Sequence, residues 1–314
     1  MPRKAGFAET AGSPKTAGSA EDAGRGPLPD YNSGNALGAF LRERGLGIRK
    51  KWGQHFLVNP RAREGLVEAL DIRAGDGVFE IGPGMGAMTS LLLEKGARVT
   101  AFEIDGGFSS ILRELFPGGS FTIVSGDVLK TWEQNDDGSP YLFGNLPYTI
   151  AAVLMGNFIE QGRFFRRIVI TVQKEVALRM AAKPGGRNYS SISALCASAY
   201  DIKPLMTLKP PSFYPPPRVD SAALLFTLRT DEKNNPLFAR LVRALFASRR
   251  KTVVNNLEHF LSVSGILGAG RRSRDCAEAV LLRSGIPPGE RAENLDYVSF
   301  NALADVLENN RNGK

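Results

Sequence analysis

The sequence predicts an α/β fold: a mostly parallel sheet covered by helices, with an antiparallel edge, followed by a small all-α C-terminal domain. Three observations carry this. Short apolar runs alternate with stretches of helical period between residues 77 and 172, the pattern of buried strands joined by crossover helices. The loop Gly82-Pro83-Gly84-Met85-Gly86 lies between a predicted strand and a predicted helix. Beyond Asp231, after Asn234-Asn235-Pro236, the periodicity is purely helical.

Residues 1–36 are rich in Gly, Ala, Ser and Pro and carry four basic and four acidic side chains, with almost no large apolar ones. Such a segment buries too little to offset its ordering entropy, so a disordered tail is expected there. The sheet domain is expected over 37–231 and the helical domain over 232–314. Leu37, Phe40 and Leu41 have helical spacing. Residues 42–63 then hold seven basic side chains against one acid, Glu43, interleaved with aromatics, a pattern that suits a nucleic-acid contact. Asn59 is placed to cap a helix through Leu70 that begins with Pro60, a residue suited to a first helical turn. Strands are predicted over 77–81, 98–104, 121–124, 141–144 and 168–172, with a helix over 87–95 ended by Gly96. Runs 202–208 and 222–228 are close enough, through 210–217, to pair antiparallel. Helices are predicted over 173–182, 237–248, 253–260, 275–283 and 300–307.

The net charge is +8, and because residues 1–36 are neutral the excess belongs to the folded part. A polyanionic partner follows. No run of 18 apolar residues occurs, so no membrane-spanning helix is expected. Cys196 and Cys276 are far apart and read as buried thiols of a reducing compartment, the cytoplasm. With His55 and His259 the only histidines, neither a metal site nor a histidine-based triad is expected.

The glycine loop lets backbone approach a ligand at a helix N-terminus. Gly82-x-Gly84-x-x-Ala87, with Glu103 about 20 residues further on, also satisfies the dinucleotide fingerprint. On this loop alone a nicotinamide dehydrogenase and an S-adenosylmethionine enzyme stand equal; in either, Glu103 can accept from ribose hydroxyls, with Asp105 as a turn or capping residue. Asp127 ends the third strand, where its carboxylate can accept from an adenine amino group. The group Asn145-Leu146-Pro147-Tyr148 ends the fourth. Pro147 holds Leu146 extended, so that the Asn145 amide oxygen and the Leu146 carbonyl are presented as acceptors beside the Tyr148 ring. Two acceptors next to a flat ring suit the exocyclic amine of a nucleobase, and none of these motifs brings a histidine or a paired basic residue to manage a hydride and proton. Methyl transfer to an amine is the chemistry that fits.

Several stretches, in this order and spacing, resemble the KsgA-type ribosomal RNA adenine dimethyltransferases over roughly residues 48–297. They are Gly53-Gln54-His55-Phe56-Leu57, Glu80-Ile81-Gly82-Pro83-Gly84, Glu103-Ile104-Asp105, Gly126-Asp127, Asn145-Leu146-Pro147-Tyr148, Gln173-Lys174-Glu175, the run from Phe213 to Ser221, Arg249-Arg250-Lys251 and Arg291-Ala292-Glu293-Asn294-Leu295. The resemblance implies a class I, Rossmann-like methyltransferase sheet. It also implies dimethylation, from S-adenosylmethionine, of two adjacent adenines in a hairpin loop near the 3′ end of 16S small-subunit rRNA, with a role in subunit biogenesis. By the same resemblance His55 and Leu57 lie over the cofactor, Gly82, Gly84 and Gly86 along its methionine portion, Glu103 at the ribose, Asp127 at the adenine, and Asn145 between cofactor and target. His55 stands where the family often has Asn. Lys50, Lys51, Arg249, Arg250 and Lys251 are the expected phosphate contacts, and Phe213 a second stacking face. The expected partner is rRNA or a pre-30S particle, met by a monomer. Methylases of large-subunit rRNA, an assembly factor that binds RNA and makes little use of catalysis, and a nicotinamide dehydrogenase are the competing readings.

Overall fold

The computed structural model describes residues 27–49, 52–147, 150–230, 236–264, 266 and 273–311. In chain order its elements are α1 (Gly34–Glu43), β1 (Phe56–Leu57), α2 (Pro60–Leu70), β2 (Gly77–Ile81), α3 (Ala87–Glu94), β3 (Arg98–Glu103), α4 (Gly106–Leu115), β4 (Phe121–Ser125) and α5 (Val128–Thr131). Then come β5 (Tyr141–Asn145), α6 (Ala151–Glu160), β6 (Arg167–Gln173), α7 (Lys174–Met180), α8 (Ser191–Ala199), β7 (Tyr200–Leu208), β8 (Phe213–Tyr214) and β9 (Ser221–Leu228). The helices α9 (Pro236–Leu245), α10 (Val253–Ser264), α11 (Ser273–Arg283) and α12 (Tyr297–Arg311) complete the described chain.

Seven strands form one sheet in the order β4-β3-β2-β5-β6-β9-β7. The first five are parallel, and β9 pairs antiparallel with both β6 and β7. The expected antiparallel pair is therefore present, but β9 lies inside the sheet and β7 forms the edge. The expected helix caps are in place: the Asn59 side chain accepts from Ala62 N, and Asp105 accepts from Gly107 N at 2.9 Å.

The continuous apolar runs reflect burial on both faces. Along β6, Ile168, Ile170 and Val172 enter one core while Val169 enters the other. On the first side lie α6 and α8, and the helices α9 to α12 continue the same core through Leu241, Phe260, Leu281 and Phe300. On the second side α2 and α3 supply Leu66, Leu70 and Leu92. Cys196 is fully buried, whereas Cys276 is only half-buried.

The expected tail through residue 36 requires correction at its end. Pro27 onward is placed, Tyr31 is 9% exposed, and α1 starts at Gly34. Leu28, Tyr31, Leu37 and Leu41 join Phe56, Met85 and Phe108 in a small cluster of their own. Residues 1–26 lie outside the described residues, as does the predicted linker at 234–235. Among the described residues no helix is long and apolar enough to cross a membrane.

Candidate active site

β2 and β5 are neighbours, with β3 and β4 on one side and β6 on the other. The loops leaving their carboxyl ends diverge, and such a switch point opens a crevice. Here it is a cleft of about 420 Å³, bordered by the loop after β2, the ends of β3 and β5, the β4–α5 turn, and an arm over 52–57.

Glu103 ends β3 and is 5% exposed. Its Oε2 accepts from Gly84 N at 3.1 Å and its Oε1 from Asp105 N at 2.9 Å. Burial pushes the carboxyl up to about 7, opposed in part by those amide donors. Each carboxylate oxygen keeps a lone pair for a ligand hydroxyl. One strand over, Glu80 is deeper still, takes a 2.7 Å bond from Thr89 Oγ1, and is pushed up to about 8 by burial. Asp127 caps α5 through a 3.1 Å bond from Leu129 N to Oδ1 and borders the cleft.

Asn145 ends β5, and its Nδ2 donates to the His55 carbonyl at 2.7 Å. That bond commits the amide nitrogen and leaves Oδ1 as the acceptor end. Leu146 is anchored by its N–H to Thr171 O at 2.9 Å and by a buried side chain, and Pro147 O accepts from Ile150 N at 3.2 Å. The acceptor turn is thus held by β6, by α6 and by the arm. The arm is itself tied down. His55 Nδ1 donates to Pro215 O at 2.7 Å, Gln54 Nε2 donates to Asp105 Oδ2 at 3.2 Å, and Arg49 N donates to Gln54 Oε1 at 2.7 Å. Leu57 borders the cleft from β1, which pairs with β8.

Of the residues singled out from sequence, His55, Leu57, Gly82, Gly84, Glu103, Asp127, Asn145 and Pro147 converge on this cleft. Two do not behave as expected. Gly86 turns away from it: a Cβ there would lie 2.4 Å from Phe116 Cε2, so its role is packing of α3 against the end of α4. Phe213, expected as a stacking face for RNA, is 4% exposed and lies in the core with Leu57 and Leu66, because β8 pairs with β1. Arg249, Arg250 and Lys251 lie in the turn after α9, where Arg249 pairs with Glu293 at 2.9 Å. Tyr148, Lys50 and Lys51 fall outside the described residues. Sequence reasoning missed Tyr31, Leu37 and Thr171, all of which border the cleft. The Leu28/Tyr31 spacing ahead of the helix-capping Ser33 was the available signal for the first two.

Residues 45–269 match the family model for Ribosomal RNA adenine dimethylase. The chain is 42% identical over 288 residues to the Ribosomal RNA small subunit methyltransferase A of Treponema denticola, covering 89% of this chain and 96% of that one. It is 36% identical over 274 residues to the protein of the same name from Myxococcus xanthus, covering 85% and 93%. Among solved structures, a dimethyladenosine transferase from Plasmodium falciparum superposes with a TM-score of 0.67 at 27% identity, over 81% of this chain and 97% of that one. The 23S rRNA methyltransferase ErmE shares the fold, with a TM-score of 0.57 at 21% identity, over 80% and 99%. On the family model and these relatives, the chain belongs to the ribosomal RNA adenine dimethylase family.

Proposed function

We propose that the cleft binds S-adenosylmethionine and that Asn145 and Leu146 position an adenine amino group of small-subunit rRNA for two successive methylations. The observation that carries the reading is the committed amide of Asn145, whose Nδ2 bond to the His55 carbonyl at 2.7 Å leaves Oδ1 as an acceptor beside the cleft. The cofactor fits the donor set present. Glu103 and Asp127 offer carboxylate oxygens at the ends of neighbouring strands, and Gly82 and Gly84 each put no side chain into the cleft, on either side of Pro83. When bound, S-adenosylmethionine supplies a methyl group on an already activated sulfonium.

The residues then act by placement. Glu103 accepts from the ribose hydroxyls, Asp127 from the base amino group, and Leu57 and His55 cover the bound nucleoside. An adenine extruded from its RNA loop donates from its amino group to Asn145 Oδ1 and the Leu146 carbonyl. These two acceptors orient the amino nitrogen and its lone pair into the cleft. A bound S-adenosylmethionine would supply the methyl group and leave as the neutral thioether, and the amino nitrogen would lose its proton to solvent. Positioning supplies most of the acceleration, so no strong general base is required. The substrate is rRNA within a small-subunit precursor particle, and the protein acts as a cytoplasmic monomer.

The test is transfer of labelled methyl from S-adenosylmethionine to isolated small and large subunits that lack these modifications. Label in adjacent dimethyladenosines of small-subunit RNA is expected. Asn145→Ala should lose about a hundredfold in turnover at saturating cofactor, since it removes the acceptor that positions the amino group. Label confined to the large subunit, or full turnover by Asn145→Ala, would overturn the assignment.

A further inference from the structure

The strap from Leu28 to Asn32 and the helix α1 that follows lie N-terminal to residues 45–269, which match the family model. They nevertheless reach the cleft, since Tyr31 and Leu37 both border it. Tyr31 is buried, and its hydroxyl donates to the Met85 carbonyl at 2.9 Å. Met85 is the residue between Gly84 and Gly86 in the loop after β2. The same loop is held from below, where Gly84 N donates to Glu103 Oε2 at 3.1 Å. Two side chains, one at Met85 and one at Gly84, therefore hold peptide groups of a loop whose glycines impose no preferred geometry of their own.

The strap is itself anchored by a buried guanidinium. Arg63 of α2 donates through Nη1 to Tyr31 O at 2.6 Å and to Leu57 O at 3.4 Å, and through Nη2 to the Asn32 side chain. Its burial holds its pKa below the usual range, a desolvation that the carbonyl acceptors partly offset. α1 is pressed on from the other side. A Cβ on Gly34 would lie 2.7 Å from Tyr214 Cδ2 and one on Gly38 2.5 Å from the Tyr214 hydroxyl, so glycine at both positions permits this close approach. One charge thus connects the strap, the cleft residue Leu57 and, through Tyr31, the glycine loop.

We infer that Tyr31 is a positioning residue for the cofactor loop: its hydroxyl holds the Met85 peptide, and Arg63 holds Tyr31. The inference rests on the reading of the cleft as an S-adenosylmethionine site. It predicts a signature confined to the cofactor. Loss of one neutral hydrogen bond that orders the loop should weaken affinity about fivefold. Turnover at saturating cofactor and the KM for RNA should stay the same, because the Asn145 turn is held by other bonds.

The test compares wild type with Tyr31→Phe and Asn32→Ala by calorimetric titration with S-adenosylmethionine and S-adenosylhomocysteine, alongside steady-state methyl transfer and melting of the ligand-free protein. Tyr31→Phe is expected to raise Kd and cofactor KM about fivefold for both nucleosides with kcat within twofold. Asn32→Ala should move the same constants in the same direction by less. A Tyr31→Phe variant with a lowered Tm and an unchanged Kd would reduce the contact to a structural one and overturn the inference alone. Absence of binding by the wild type would overturn the cofactor reading and the inference with it.

Discussion

At the scale of single residues, the buried carboxyls make the sharpest prediction. Glu80 is 1% exposed, and burial raises its pKa from 4.5 to about 8. The native state therefore holds this proton more tightly than the unfolded chain. Its contribution to stability is complete below pH 4.5 and is lost as pH rises through 8, and Glu103, raised to about 7, acts in the same direction. Glu80→Gln keeps an oxygen to accept from Thr89 and removes the ionisation. The fall in unfolding free energy between pH 5 and 9 should shrink by a few kcal/mol, since one pKa unit is worth about 1.4 kcal/mol. Denaturant titrations across that range check it, and the slope with pH is the readout because the amide's extra donors shift the absolute value. A slope equal to wild type would remove Glu80 as its source. The site was legible in sequence wherever a polar residue closes an apolar strand: Glu103, Asp127 and Asn145 were found that way, and all three border the cleft. Tyr31 was not, because it stands in a polar stretch whose partner, the Met85 carbonyl, is a backbone group 54 residues away. Phe213 was misread because a two-residue strand has no period to detect, and its pairing with Leu57 decides its burial.

At the scale of elements, the parallel strands and the helices α2, α3 and α7 were read within a residue or two, whereas α4, α6 and α8 were not predicted. Burial on both faces writes a continuous apolar run, and the caps at Asn59 and Asp105 mark helix starts. The place of β9 was not readable. Its composition suits an edge or an interior strand equally, and only its pairing with β6 from Arg167↔Thr227 to Gln173↔Ser221 sets it between β6 and β7. Gly86 tests how α3 is seated. It is the N-cap of α3 at φ 87°, and a Cβ would meet Phe116 Cε2 at 2.4 Å. Gly86→Ala combines a left-handed backbone, about 1–2 kcal/mol, with overpacking of about 1–3 kcal/mol. A loss of about 2–4 kcal/mol in urea unfolding is expected. Gly118→Ala, where a Cβ meets nothing within 4 Å, is the control and should stay within about 0.5 kcal/mol. Equal stability of the two variants would show that α3 can shift away from Phe116 without cost.

At the scale of the whole molecule, charge decides more than shape. The helices α9 to α12 share a core with one face of the sheet, so the turn after α9 is carried on a packed body. That turn presents Arg250 and Lys251 exposed, with no ion pair to a described residue, whereas Arg249 is engaged by Glu293 at 2.9 Å. A net charge of +8 on 314 residues would attract any polyanion, so overall affinity cannot locate the contact. The salt dependence can. Each phosphate neutralised adds about 0.7–0.9 to the slope of log K against log salt concentration. If both free cations of the turn engage phosphates, the double variant Arg250→Ala/Lys251→Ala should lower the magnitude of that slope by about 1.5. Binding to small-subunit RNA would then weaken most at low salt, while cofactor affinity stays at the wild-type value because the turn does not border the cleft. Filter binding of the RNA across a salt series measures both quantities. A reduced affinity with an unchanged slope would mean that the turn acts through the fold of the helical segment, and an unchanged affinity would move the RNA path to the basic stretch at 42–63, which carries seven basic side chains in sequence, Arg63 among them being buried.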